Sequence, residues 1–161
     1  MKIIIKNKFF SFRGSSNVED ESGRALFQVK GKFFTFTAEK ELYDMNGKLL
    51  YTIRNKFFNW WYPSAYICDA NGNKLARIKR NLSIKHDYSI EGINSDIRLD
   101  GTFWGYTSKV YRDNKFIGTL KKEFWAMRDY FTLEVEDGED AAFLVALVIA
   151  LDNIQDKAER S

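Results

Sequence analysis

Apolar and polar residues alternate along most of this chain with a period of two. Phe27 and Val29 fall on one side of the pattern with Gln28 and Lys30 on the other. Tyr51 and Ile53 oppose Thr52 and Arg54, and Ala76 and Ile78 oppose Arg77 and Lys79. Successive strand side chains point to opposite faces, so each run predicts a half-buried β-strand. Further strands are predicted at 83–90, 96–99, 102–112, 116–121 and 130–136. The alternation ends at residues 141–151, eleven positions without a polar side chain. A helix apolar on every side has no solvent face and must be surrounded by protein or lipid. Eleven residues give roughly 16 Å of helix, about half of a bilayer core, so enclosure by sheet is predicted.

The strands come in repeated units. Ile5-Lys6-Asn7-Lys8-Phe9-Phe10 recurs 24 residues later as Val29-Lys30-Gly31-Lys32-Phe33-Phe34, and 24 later again as Ile53-Arg54-Asn55-Lys56-Phe57-Phe58. Weaker copies start at Ile78 and Val110. Ser22-Gly23, Asn46-Gly47 and Asn71-Gly72 stand at matching distances and predict two-residue hairpin turns with positive φ. Each unit reads as strand, turn, strand and a Lys-aromatic corner. Period-24 repetition suits a solenoid too, but its decay after residue 83 and the terminal apolar run favour a closed barrel. About twelve strands enclose more space than the eight-stranded type that side chains alone fill. The prediction is a mainly β, closed antiparallel barrel over residues 1–155. A central helix fills it at about 139–154, with Asp137 or Asp140 as its cap, and 156–161 form a charged tail.

Composition refines the picture modestly. The 14 Phe, 8 Tyr and 4 Trp against a single Pro lean toward sheet. Net charge is +3, but residues 1–86 carry +9 and residues 87–161 carry −6. With one cysteine, Cys68, no internal disulfide forms. A reducing, cytoplasmic setting is therefore expected, with no signal peptide and no transmembrane segment.

The Lys-Phe-Phe corners at 8–10, 32–34 and 56–58 and the Asp-x-x-Gly turns at 20–23, 44–47 and 69–72 resemble those of the LURP-one-related family. So does the ending, from Lys121-Lys122 and Asp129 through Asp137-Gly138-Glu139-Asp140 to the apolar run and Asp152. That family belongs to the tubby C-terminal-like and phospholipid-scramblase-like group. The resemblance implies a twelve-stranded barrel around a hydrophobic C-terminal helix. In the wider group, tubby-like domains bind phosphoinositide headgroups and scramblase-like proteins act at membranes. The chain departs from the family at Met127-Arg128-Asp129-Tyr130-Phe131, which keeps Asp129 but lacks the family's following Thr.

Candidate chemistry is sparse. One His and one Cys exclude the usual zinc sets. A Cys68–His86 thiol–imidazole pair is outweighed by Cys68 as a small buried strand residue. Glycine-rich phosphate loops are absent, and helix capping explains the acidic run at 134–140 better than calcium binding does. No catalytic residue, metal or cofactor is expected. What stands out is Phe57-Phe58-Asn59-Trp60-Trp61-Tyr62-Pro63 beside several cations. Trp60, Trp61, Arg54, Lys56, Arg77, Lys79 and Arg80 are the candidate ligand-binding set, suited to anionic headgroups at an interface. The function predicted is a non-enzymatic binding or scaffold module. It would recognise anionic phospholipid or a protein partner through this basic, aromatic-rich surface, peripherally at the membrane. The alternative is a single-stranded nucleic-acid-binding barrel, a partner class the mild net charge disfavours. Lys30, Arg54, Lys79 and Lys121 hold equivalent positions in successive units, so a barrel would spread them as a solvated ring.

Overall fold

The computed structural model describes residues 1–6, 15–32, 39–56, 64–80, 88–101, 107–125 and 128–159, with backbone alone at 124–125, 128–129 and 156–159. The strands of the first half are β1 (Lys2–Lys6), β2 (Ser15–Asp20), β3 (Ala25–Gly31), β4 (Glu39–Asp44), β5 (Leu49–Lys56) and β6 (Ser64–Asp69). Those of the second are β7 (Lys74–Arg80), β8 (Tyr88–Gly92), β9 (Ile97–Asp100), β10 (Thr107–Arg112), β11 (Lys115–Trp125) and β12 (Arg128–Val135), followed by α1 (Ala141–Glu159).

All twelve strands form one antiparallel sheet. Each pairs with its sequence neighbour except β8 with β9, and β1 pairs with β12 to bring the two ends of the chain together. The result is a nearly closed barrel with a seam between β8 and β9. The apolar members of the period-two pattern face inward. Ile3 and Leu133, Ile5 and Phe131, and Ile53 and Ile67 are cross-strand partners, and all six are fully buried. Residues 141–151 of α1 are buried without exception and join this core. Burying a Val, Leu or Ile side chain contributes about 1.5–3 kcal/mol, so the peg and its wall depend on each other.

The hairpin turns differ from the expected two-residue type. In all three, the N–H of the Gly donates to the carbonyl of the Asp three residues earlier, at 3.0–3.1 Å, and only the Gly has positive φ. These are three-residue loops, a turn closed by a left-handed Gly with a register shift just before the Asp. The Asp itself is the reason. Oδ1 of Asp44 accepts the N–H groups of Asn46 and Lys48 at 2.9 and 2.8 Å, and Asp69 does the same for Asn71 and Asn73. Those bonds hold the middle residues at ordinary φ. The tight turn with two positive φ values occurs instead at Asp113-Asn114.

Asp140 caps the start of α1, its Oδ1 accepting the Phe143 N–H at 2.9 Å. The helix runs five residues past the expected boundary at 154, to Glu159. The switch to polar residues marks the end of the apolar face rather than of the helix, since no Gly or Pro follows to stop it. Phe143 packs edge-on to Tyr51 near the Asp-x-x-Gly turns, whereas Asn153 accepts a hydrogen bond from Lys40 at 2.6 Å near the other mouth. The helix therefore passes from the turn end of the barrel to the end where the odd-numbered strands finish, the corner end.

Candidate functional site

Register brings four predicted residues onto one outer face. Arg54 lies opposite Tyr66 across β5–β6, and Tyr66 lies opposite Arg77 across β6–β7. One step nearer the corner end, Lys56, Ser64 and Lys79 form the next row. Tyr66 is the centre of this face. Its ring has Lys74 Nζ at 4.5 Å, Lys56 Nζ at 5.6 Å and Arg77 Cζ at 5.6 Å from the centroid. Each contact is a cation–π interaction, favourable through the ring's negative face.

Carboxylates flank the face, and Glu91 lies directly opposite Arg77 across β7–β8. Glu39 takes Arg54 Nε at 3.1 Å and Lys32 Nζ at 2.9 Å, and Glu91 takes Lys79 at 2.6 Å. The Lys79 hydrogen bond holds the Glu91 carboxyl below its ordinary range. Among the described residues, no ion pair forms at Lys56, Lys74 or Arg77.

Arg80 departs from this group. Two residues on from Ile78 and opposite Tyr88, it occupies the inward-facing register of β7. Trp60, Trp61, His86 and the Lys8-Phe9-Phe10 corner lie outside the described residues, and so does the whole aromatic stretch 57–63. Tyr66 and Lys74 are additions to the predicted set. Tyr66 sits on an alternating strand, and its neighbours follow from strand register, which composition does not carry. Cys68 is fully buried, and burial pushes its thiol pKa up, the opposite of nucleophile activation. Among the described residues, no group of His, Cys, Asp and Glu is placed to hold a metal ion.

The ring of cations from equivalent repeat positions takes definite form. Lys30, Arg54, Lys79 and Lys121 share the outer face of β3, β5, β7 and β11, each toward the corner end.

Comparison with known proteins places this architecture. A crystal structure of a protein from Arabidopsis thaliana superposes with a TM-score of 0.65 at 20% identity, covering 96% of this chain and 91% of that one. That likeness is one of fold. No curated protein matches the chain. The LURP-one-related family model matches residues 1–152, from β1 into the apolar helix, and the chain belongs to that family.

Proposed function

We propose that this chain is a non-enzymatic binding module that engages anionic phospholipid headgroups through the outer face of β5–β7. The observation that carries the reading is the convergence of Lys56, Lys74 and Arg77 on the Tyr66 ring. An aromatic ring with a polar tip, set among cations, suits the headgroup layer, where positive charge is attracted to anionic lipid. Among the described residues, no helix is long and apolar enough to cross a membrane. Engagement on this reading is peripheral. Cations already crowd the Tyr66 ring, which leaves little of it for a nucleic-acid base to stack on.

Co-sedimentation with phosphatidylserine-containing vesicles, against phosphatidylcholine vesicles, tests the reading. Retention on the anionic vesicles should fall with added salt and drop further in Lys56→Glu/Arg77→Glu. Equal retention on both vesicle types, or none on either, contradicts it. Binding to a single-stranded oligonucleotide in preference to the vesicles would support the nucleic-acid reading instead.

A further inference from the structure

We infer that Lys79 is a positioning residue for the binding face: by holding Glu91 on a diagonal, it keeps Arg77 clear of its cross-strand carboxylate and open to an anionic headgroup. This rests on the lipid reading above and adds the device that readies the face for its ligand.

Register makes Arg77 the near partner of Glu91. The two lie directly opposite each other across β7–β8, while Lys79 lies opposite Ser89 and reaches Glu91 only diagonally. Directly opposite residues have Cβ atoms about 4.5–5.5 Å apart, against roughly 7–8 Å on the diagonal. Arginine is also the better matched partner for a carboxylate, because its planar fork can bond both oxygens. Both considerations favour an Arg77–Glu91 pair. The structure shows the other choice. Lys79 Nζ meets Glu91 Oε1 at 2.6 Å, and among the described residues no ion pair joins Glu91 to Arg77.

Arg77 is left with unused bonding capacity. Its guanidinium carbon stands 5.6 Å from the Tyr66 centroid, and its Nε, shielded from solvent, donates to no acceptor. A buried donor without an acceptor is unfavourable, and turning the side chain toward an anion breaks no hydrogen bond at that atom. The charge of Arg77 still acts on Glu91. It helps to hold the carboxyl low, behind the larger effect of the Lys79 hydrogen bond. Glu91 therefore responds to two cations, and Lys79 decides which of them it occupies.

The Lys79–Glu91 pair itself has little weight in folding. Its side chains are 34% and 53% exposed, and exposed ion pairs contribute little to stability. Its consequence falls on Arg77. β8 is the last strand before the seam, so no ladder partner on its far side offers Glu91 an alternative. Released from Lys79, Glu91 has Arg77 directly across from it.

A double-mutant cycle on binding tests the inference, read as the partition coefficient onto vesicles of phosphatidylserine and phosphatidylcholine. Lys79→Gln removes one charge and frees Glu91 for Arg77. The coefficient should fall about 25-fold, as for two basic residues lost at a membrane surface. In the Glu91→Gln background the same change should lower it only about fivefold, as for one. Lys79→Arg, which keeps a cation on the diagonal, should bind like the unaltered protein. Equal losses in both backgrounds would mean that Lys79 acts by its charge alone. A smaller loss with Glu91 present would mean that Glu91 sequesters Lys79 instead. Either result, or a loss in Lys79→Arg as large as in Lys79→Gln, overturns the inference and leaves the lipid reading intact. Failure of the unaltered protein to bind anionic vesicles removes that reading itself. The double variant also excludes a folding defect as the cause, since it lacks the same ion pair as Lys79→Gln yet leaves Arg77 without a carboxylate opposite.

Discussion

The Tyr51 hydroxyl donates a hydrogen bond to the carboxylate of Asp140, the same side chain that caps α1. One wall strand is thereby fastened to the first turn of the peg. Glu139 adds a second fastening, taking Lys115 at 2.6 Å and Arg112 at 3.6 Å. Asp140→Ala should cost about 1–2 kcal/mol from the lost cap, and Tyr51→Phe about 1 kcal/mol. A double-mutant cycle by urea denaturation should show the two coupled. Strict additivity would mean that the tyrosine and the cap act separately.

The same contact predicts an alkaline limb in stability. Burial, followed by the bond to Asp140, pushes the Tyr51 hydroxyl well above its ordinary value of 10.0. A phenol whose folded pKa is raised contributes stability that is complete below the unfolded pKa and lost as pH rises past it. The midpoint of denaturation should therefore fall above about pH 10, and Tyr51→Phe should remove part of that fall. An unchanged alkaline limb in the variant would contradict the assignment.

Part of the acid behaviour should have its origin in the hairpin turns. The Ser22 hydroxyl lowers the Asp20 carboxyl, and the Asn73 side-chain amide lowers Asp69, each with help from backbone N–H groups. Stability from a depressed carboxyl is present above its unfolded pKa and lost as pH falls through the folded one. Asp20→Asn and Asp69→Asn should each flatten the loss of stability below about pH 4, as measured by thermal melts across pH.

Gly118 on β11 leaves room for the β12 backbone and for Leu144 of α1. A Cβ there would lie 2.5 Å from the Glu134 carbonyl oxygen and 3.3 Å from Leu144 Cδ1. Gly118→Ala should destabilise by about 1–3 kcal/mol or more, since neither a backbone carbonyl nor a packed leucine yields easily. Gly31, with nothing within 4 Å of the same probe position, is the control and should tolerate alanine.

The barrel and its peg were legible in the sequence because each rests on a local signal. Strand alternation, Asp-x-x-Gly turns and an all-round apolar helix are properties of short windows. The turn geometry was misread because Asn-Gly alone suggests two positive φ values, whereas the Asp side chain two residues earlier leaves only the Gly with one. The candidate face was half legible. Arg54, Lys56, Arg77 and Lys79 stand out as cations, but their meeting around Tyr66 depends on register set by shifts such as that between Ile67 and Cys68. Arg80 shows the limit of composition. It is as basic as its neighbours, yet parity alone puts it on the other face of β7 from Arg77 and Lys79.

The account depends most on α1 being enclosed, with residues 144–151 reached by water only when the barrel opens. Native-state hydrogen exchange of the amides of 144–151 tests this directly. If the helix is the peg, those amides should exchange with the free energy of global unfolding and track it when urea is added. Exchange through an opening of lower free energy, with a urea dependence smaller than that of global unfolding, would show α1 leaving while the sheet stays folded, and would contradict the account.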